Sequence, residues 1–169
     1  SGDSMQIYRG MDIGTAKIKE EEMSGIPHHL IDIKDPHEGF SVAEFQELVR
    51  EKITEISARG CIPFIVGGTG LYIQAALYDY EFPKDSYDPT IREKLMKEAD
   101  EKGIAPFYEK LKKIDPESAK KIHPNNKRRI IRALEIYYTT GKTMSAIKAR
   151  QTGEPVYESF ILGLTMDRK

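Results

Sequence analysis

An apolar run at residues 62–66 (Ile62, Pro63, Phe64, Ile65, Val66) passes directly into Gly67, Gly68, Thr69 and Gly70, and then into the apolar stretch 71–78. No other stretch narrows the possible folds as much. A short apolar run suits a strand buried on both faces of a parallel sheet. Clustered glycines turn the backbone sharply, and the stretch after them reads as a helix. Strand, glycine turn and helix is the arrangement in which backbone N–H groups and a hydroxyl approach an anion or a base. On the residues alone, Thr69 serves equally well as the cap of the helix after the turn. The preceding residues support an α/β reading. Ser41 and Glu44 form an S-x-x-E capping box, and Gly60 closes the run. Between them Val42, Phe45, Leu48, Val49, Ile53 and Ile56 share one stripe at helical spacing.

Residues 1–17, SGDSMQIYRGMDIGTAK, have almost no apolar periodicity. Asp3, Ser4, Gln6, Arg9, Asp12, Thr15 and Lys17 crowd a segment that Gly2, Gly10 and Gly14 leave free to turn. So many polar side chains with so few core residues point to a functional loop, the alternative being a solvated N-terminal arm. A short helix over 18–24 and a strand over 28–33 are expected next. His28 and His29 are adjacent, so on a strand they face opposite ways, and no third ligand is spaced to complete a zinc site.

Between residues 80 and 88 the composition shifts to Pro, Asp and Ser, and no strand candidate comes after it for about sixty residues. Helices are expected from Asp88-Pro89 to Lys102, over 105–113, from Asp115-Pro116, from Asn125 or Asn126 to Thr140, and over 143–150. Residues 159–165, SFILGLT, then read as a strand rejoining the sheet. The organisation is a partial α/β core at 1–82, a helical insertion at 83–153 and a returning strand within 154–169.

The net charge of −1 and pI near 6.4 supply no global field toward nucleic acid. The basic residues are nevertheless concentrated. Lys120, Lys121, Lys127, Arg128, Arg129, Arg132, Lys142, Lys148 and Arg150 lie in a stretch whose only acid is Glu135. That is the footprint of a phosphate-binding surface, or else a solvated basic face. Arg128, Arg129 and Arg132 share one face of the expected helix, and Ile130, Leu134 and Tyr137 are left to pack on another. With 39% hydrophobic and 31% charged residues the chain is of globular type, and Cys61, alone, forms no internal disulfide and fits a reducing compartment. No apolar run reaches the length of a membrane span.

DSMQIYRGMDIGTAK, PHHLIDI, IPFIVGGTGLY, DPTIR and IHPNNKRRIIRALEIY, in that order, resemble the tRNA dimethylallyltransferases, also called tRNA isopentenyltransferases. The resemblance runs through essentially the whole chain. It implies a P-loop-NTPase-like parallel sheet core carrying an all-helical insertion domain. It also implies transfer of a dimethylallyl group from dimethylallyl diphosphate to N6 of the adenosine just 3′ of a tRNA anticodon. By the same resemblance Asp3 and Thr69 are the catalytic candidates. Asp3, Ser4, Met5, Gln6, Thr69, Arg92, Arg128, Arg129, Ile130, Ile131 and Arg132 are the candidate contacts to the tRNA anticodon stem-loop. Thr15 and Lys17 are weaker candidates for the diphosphate. Mg²⁺ is the expected cofactor, with no ligand assigned in this segment, and a cytoplasmic monomer is expected.

The family's glycine-rich phosphate loop, ending Gly-Lys-Thr or Gly-Lys-Ser, has no counterpart here; the glycines at 67–70 lack its lysine and spacing. The chain therefore reads as an internal segment of a longer enzyme, without its phosphate loop and C-terminal part, and inactive by itself. The chemistry is consistent with the residues. An adenine amino group is a weak nucleophile that must lose a proton as the N–C bond forms, and Asp3 is the expected base, ahead of Asp12. Ser4 and Gln6 can read the adenine edge once the base is flipped out of its stack. A free-adenylate isopentenyltransferase, a P-loop kinase relative and a plain RNA-binding module are the alternatives.

Overall fold

The computed structural model describes residues 1–82, 88–165 and 167. The boundary expected between 80 and 88 falls partly on residues 83–87, outside that set. Two compact units are formed, Ser1–Tyr80 with Gly153–Lys169, and Glu81–Thr152.

In the first unit, α1 (Val42–Ala58) packs against α2 (Gly70–Leu77). Ser41 caps α1 as its sequence requires, its hydroxyl accepting from the Glu44 amide at 3.1 Å. The stripe of α1 delivers Phe45 and Val49 to a core with Ile7, Leu30, Tyr72 and Ala76. Phe45 and Tyr72 stack at 4.2 Å between ring centroids. The last carbonyls of a helix have no partner within it. Those of α2 and the residues after it are met from α1: Gln46 Nε2 donates to Ala75 and Tyr80, and the Arg50 guanidinium to Ala75, Ala76 and Tyr78.

The expected parallel sheet is not formed among the described residues, whose strand pairing is limited to two isolated bridges, Tyr8 with Lys34 and Tyr78 with Pro155. None of the three expected strands joins a ladder among the described residues. Residues 28–33 hold Leu30 and Asp32 at φ of 59° and 54°, the left-handed region, which breaks the pleat. Residues 62–66 join no ladder among the described residues, and Ile62, Phe64 and Val66 are 79, 80 and 72% exposed, so the alternate side chains are left uncovered. Residues 159–165 likewise make no ladder, with Phe160, Ile161, Leu162 and Leu164 exposed. The helix expected over 18–24 contracts to a single 3-10 turn, Glu20–Glu22.

The second unit is helical: α3 (Pro89–Lys102), α4 (Ala105–Ile114), α5 (Pro116–Lys121), α6 (Lys127–Thr140) and α7 (Met144–Ala149). Capping residues set most of these boundaries. Asp88 accepts from the Thr90 and Ile91 amides, with Pro89 at the first helical position. Asn126 accepts from the Arg129 amide, and Thr143 from that of Ala146. Gly141 ends α6 at φ 69°, a conformation that favours glycine. The core of the unit is Leu95, Ala99, Phe107, Leu111, Ala119, Ile122, Ile130, Ile131, Ala133 and Leu134. Asp115, itself buried, caps α5 through Oδ1 to the Ser118 amide and reaches α7 through Oδ2 to the Ser145 amide, both at 3.0 Å.

Candidate functional site

In the first unit the loop 1–6 and the glycine turn 67–70 lie backbone to backbone. The Gly2 amide donates to the Val66 carbonyl at 2.7 Å, and the Thr69 amide to the Gly2 carbonyl at 3.3 Å. A β-carbon on Gly67 would stand 2.5 Å from the Gly2 oxygen and 2.7 Å from the Asp3 amide nitrogen, so only glycine fits there. Across this seam Thr69 Oγ1 accepts from the Ser4 amide at 2.9 Å and donates to Ser4 Oγ at 3.2 Å. Thr69 makes no side-chain cap bond to α2, so its hydroxyl serves the loop rather than the helix.

That seam sets the position of Asp3. Its Oδ1 accepts from the Met5 amide at 2.8 Å, closing a tight turn. Its other carboxylate oxygen makes no hydrogen bond among the described residues, and the side chain is only partly buried. One oxygen is thus held by the backbone of its own turn while the second is not. Gln6 is oriented by its neighbours, its amide donating to the carbonyls of Thr15 and Ala16 and its Oε1 accepting from Ser1. Met5 is exposed.

Thr15 and Lys17 do not join this arrangement as anion donors. The Thr15 hydroxyl faces the carbonyls of Met11 and Asp12. Lys17, with its side chain 5% exposed, places Nζ 2.8 Å from the Tyr8 carbonyl, 2.7 Å from Asp12 Oδ1 and 2.6 Å from Asp32 Oδ1. Three partners use all three ammonium hydrogens. Burial alone would lower the Lys17 pKa, but the bonds to Asp12 and Asp32 outweigh it and hold the pKa above the ordinary lysine value. Asp12 is therefore a counter-ion to Lys17. Asp12 and Asp32 are already ion-paired with Lys17, which makes them poor candidates for Mg²⁺ ligands.

In the second unit the candidate RNA-contacting residues divide into three kinds. Arg128 and Arg129 are exposed on the first turn of α6 and make no ion pair among the described residues. Arg92 of α3 and Arg132 of α6 both lie against Glu135. Ile130 and Ile131 are 0 and 1% exposed in the core, so neither side chain is presented to a ligand. Apolar residues at helical spacing beside the arginines were legible as packing, and the helix face separates the two groups. Two features were not legible: the backbone contact of Gly67 with Gly2, which only the fold creates, and the burial of Glu135, whose sole signal was its being the one acid in a basic stretch.

The sequence profile of the IPP transferase family matches residues 6–169. The chain is 61% identical over 168 residues to a tRNA dimethylallyltransferase of Bacillus cytotoxicus, covering 99% of this chain and 53% of that protein. It is 59% identical to a tRNA dimethylallyltransferase of Bacillus subtilis, covering 99 and 54% of the two chains. The chain thus spans about half the length of the curated relatives it matches. Among solved structures, a eukaryotic dimethylallyltransferase acting on tRNA superposes with a TM-score of 0.74 at 38% identity, over 89% of this chain and 37% of that one.

Proposed function

The chain belongs to the IPP transferase family, and on that premise we propose that it supplies the base-recognising loop and RNA-binding helices of a tRNA dimethylallyltransferase. The full chain transfers a dimethylallyl group from dimethylallyl diphosphate to N6 of the adenosine 3′-adjacent to the anticodon. The observation that carries this reading is the seam between Thr69 and Ser4, which leaves Asp3 with one carboxylate oxygen bound and one open.

Each of these residues has a part in the chemistry. The adenine, flipped from its stack, brings its amino group to Asp3. The N6–carbon bond forms as the carbon–oxygen bond to diphosphate breaks, the bonding pair leaves with the diphosphate, and the N6 proton passes to Asp3. Ser4, Gln6 and Thr69 orient the base through hydroxyl and amide groups held by their own hydrogen bonds. Arg128, Arg129, Arg92 and Arg132 meet RNA phosphates. Developing charge on the leaving group falls to groups other than Thr15 and Lys17, which are engaged elsewhere. Mg²⁺ at the diphosphate belongs to the proposal, with no ligand assigned to it among these residues. A P-loop-like sheet completed by the rest of the full chain, a cytoplasmic location and a monomeric state belong to the same reading. Among the described residues no helix is long and apolar enough to cross a membrane.

The test is incorporation of labelled dimethylallyl diphosphate by the full chain into an anticodon stem-loop, against free adenylate. Label at N6 of the stem-loop adenosine is expected. Label on free adenylate alone, or transfer of a γ-phosphate instead, overturns the reading.

A further inference from the structure

One acid within the basic face has no part in the mechanism above. Glu135 lies on α6 beside Leu134 and Ile136, and its side chain is fully buried. Neither of its carboxylate oxygens has a hydrogen-bond partner among the described residues. Its Oε2 lies 3.1 Å from Nη1 of Arg132 on the same helix and 3.6 Å from Nη1 of Arg92 on α3. As a core residue this is a poor choice. Buried ion pairs seldom repay their desolvation, and an apolar side chain of similar size would serve packing at least as well.

The arrangement makes sense for the two arginines instead. Both side chains remain partly exposed, 40% for Arg92 and 33% for Arg132. Two guanidinium groups drawn to one point repel each other, and a carboxylate beneath them offsets that repulsion and fixes their spacing. Their planar forks suit the paired oxygens of a phosphate. We infer that Glu135 is a positioning residue that holds Arg92 and Arg132 side by side as a clamp for one phosphodiester of the RNA backbone. This rests on the RNA-binding reading of the face.

The sign of one substitution separates positioning from simple charge. Glu135→Gln keeps the shape and removes a negative charge, so long-range electrostatics alone would tighten RNA binding. Positioning requires the reverse. In the full chain, Glu135→Gln is expected to raise the anticodon stem-loop Kd about tenfold. It should also flatten log Kd against log salt by about 0.7–0.9, the share of one phosphate, with kcat at saturating RNA unchanged. Unchanged or tighter binding overturns the inference. Arg92→Ala with Arg132→Ala should reproduce the loss, and adding Glu135→Gln to that pair should cost nothing more. If the paired alanines weaken binding but Glu135→Gln does not, the inference falls and the RNA reading stands. If the paired alanines change neither affinity nor slope, the RNA reading of this face falls too. Should Glu135→Gln fail to fold, Glu135→Asp carries the same test, because it keeps the charge but withdraws it from both arginines by one methylene. Weakened binding supports the clamp, and unaltered binding overturns it.

Discussion

Gly67 and Gly2 meet backbone to backbone, with no room for a side chain on Gly67. This meeting aligns the loop that bears Asp3 with the turn that bears Thr69. Gly67→Ala must push the two apart. The expected outcome is a loss of about 1–3 kcal/mol of stability, as for other overpacked sites. A fall in kcat/KM of about 10²-fold should accompany it, because a shift of about an ångström in a reacting group is enough for that. Urea unfolding and prenyl incorporation check the two parts. Wild-type activity would mean that the seam does not position the base.

Asp3 has one oxygen held by the Met5 amide, and the proposed reaction assigns the other to the base role. Asp3→Ala in the full chain is expected to lower kcat by about 10²–10⁴-fold and to leave stem-loop affinity close to wild type. Single-turnover incorporation at saturating RNA, with a separate binding titration, reads both quantities. Unchanged turnover would remove Asp3 from the role of base.

Lys17 was legible in the sequence only as a cation close to a candidate site, and the structure makes it an internal post. Lys17→Met is expected to cost about 1–2 kcal/mol, since Asp12 and Asp32 lose the partner that neutralises them and the Tyr8 carbonyl loses its donor. The KM for dimethylallyl diphosphate should not move. Because the folded pKa is raised, the stabilisation stands in full below the unfolded value of about 10.4 and is lost only as pH rises through the higher folded value. Urea midpoints between about pH 7 and 11, wild type against Lys17→Met, test this. A raised donor KM without loss of stability would return Lys17 to the diphosphate.

The range of the forces involved decides which features a sequence discloses. Helix ends are set within about four residues, so Ser41, Asp88, Asn126, Gly141 and Thr143 announced them correctly. Strands are set by partners distant in sequence, and the runs at 28–33, 62–66 and 159–165 lacked any local sign of whether a ladder would form. The same contrast holds within the candidate site. The polar crowding of residues 1–17 was visible, whereas the division of that crowd into an open carboxylate at Asp3 and a closed ion cluster at Lys17 depends on Asp32 and Thr69. Ile130 and Ile131, drawn into the contact set beside the arginines, turn inward because α6 places its apolar stripe on α3 and α4.

Asp115 joins three helices of the second unit, ending α4, capping α5 and holding the start of α7. Asp115→Ala should cost about 2–3 kcal/mol, more than one ordinary cap, because two amides lose a charged acceptor in a buried place. Burial alone would raise its pKa, but hydrogen bonds from Ser118 and Ser145 outweigh that and hold it below the usual carboxylate value. A depressed folded pKa gives stability that is complete above the unfolded value of about 3.9 and is lost as pH falls through the folded one. The stability of Asp115→Asn should therefore depend less on pH below about 4 than that of wild type. Equal acid dependence in urea titrations would exclude the carboxylate as the fastening.

Arg128 and Arg129 differ from every other arginine assigned to RNA here, because they stand exposed without a counter-ion among the described residues. Nothing in the fold needs their charge, so their replacement isolates binding from stability. Arg128→Ala with Arg129→Ala should leave the unfolding free energy within about 0.5 kcal/mol of wild type, as for surface positions generally. It should weaken stem-loop binding and lower the slope of log Kd against log salt by about 0.7–0.9 for each phosphate no longer held. The two effects must appear together. A weaker complex with an unaltered slope would mean that the arginines touch bases or shape the helix, and an unaltered complex would leave this turn of α6 as a solvated basic surface.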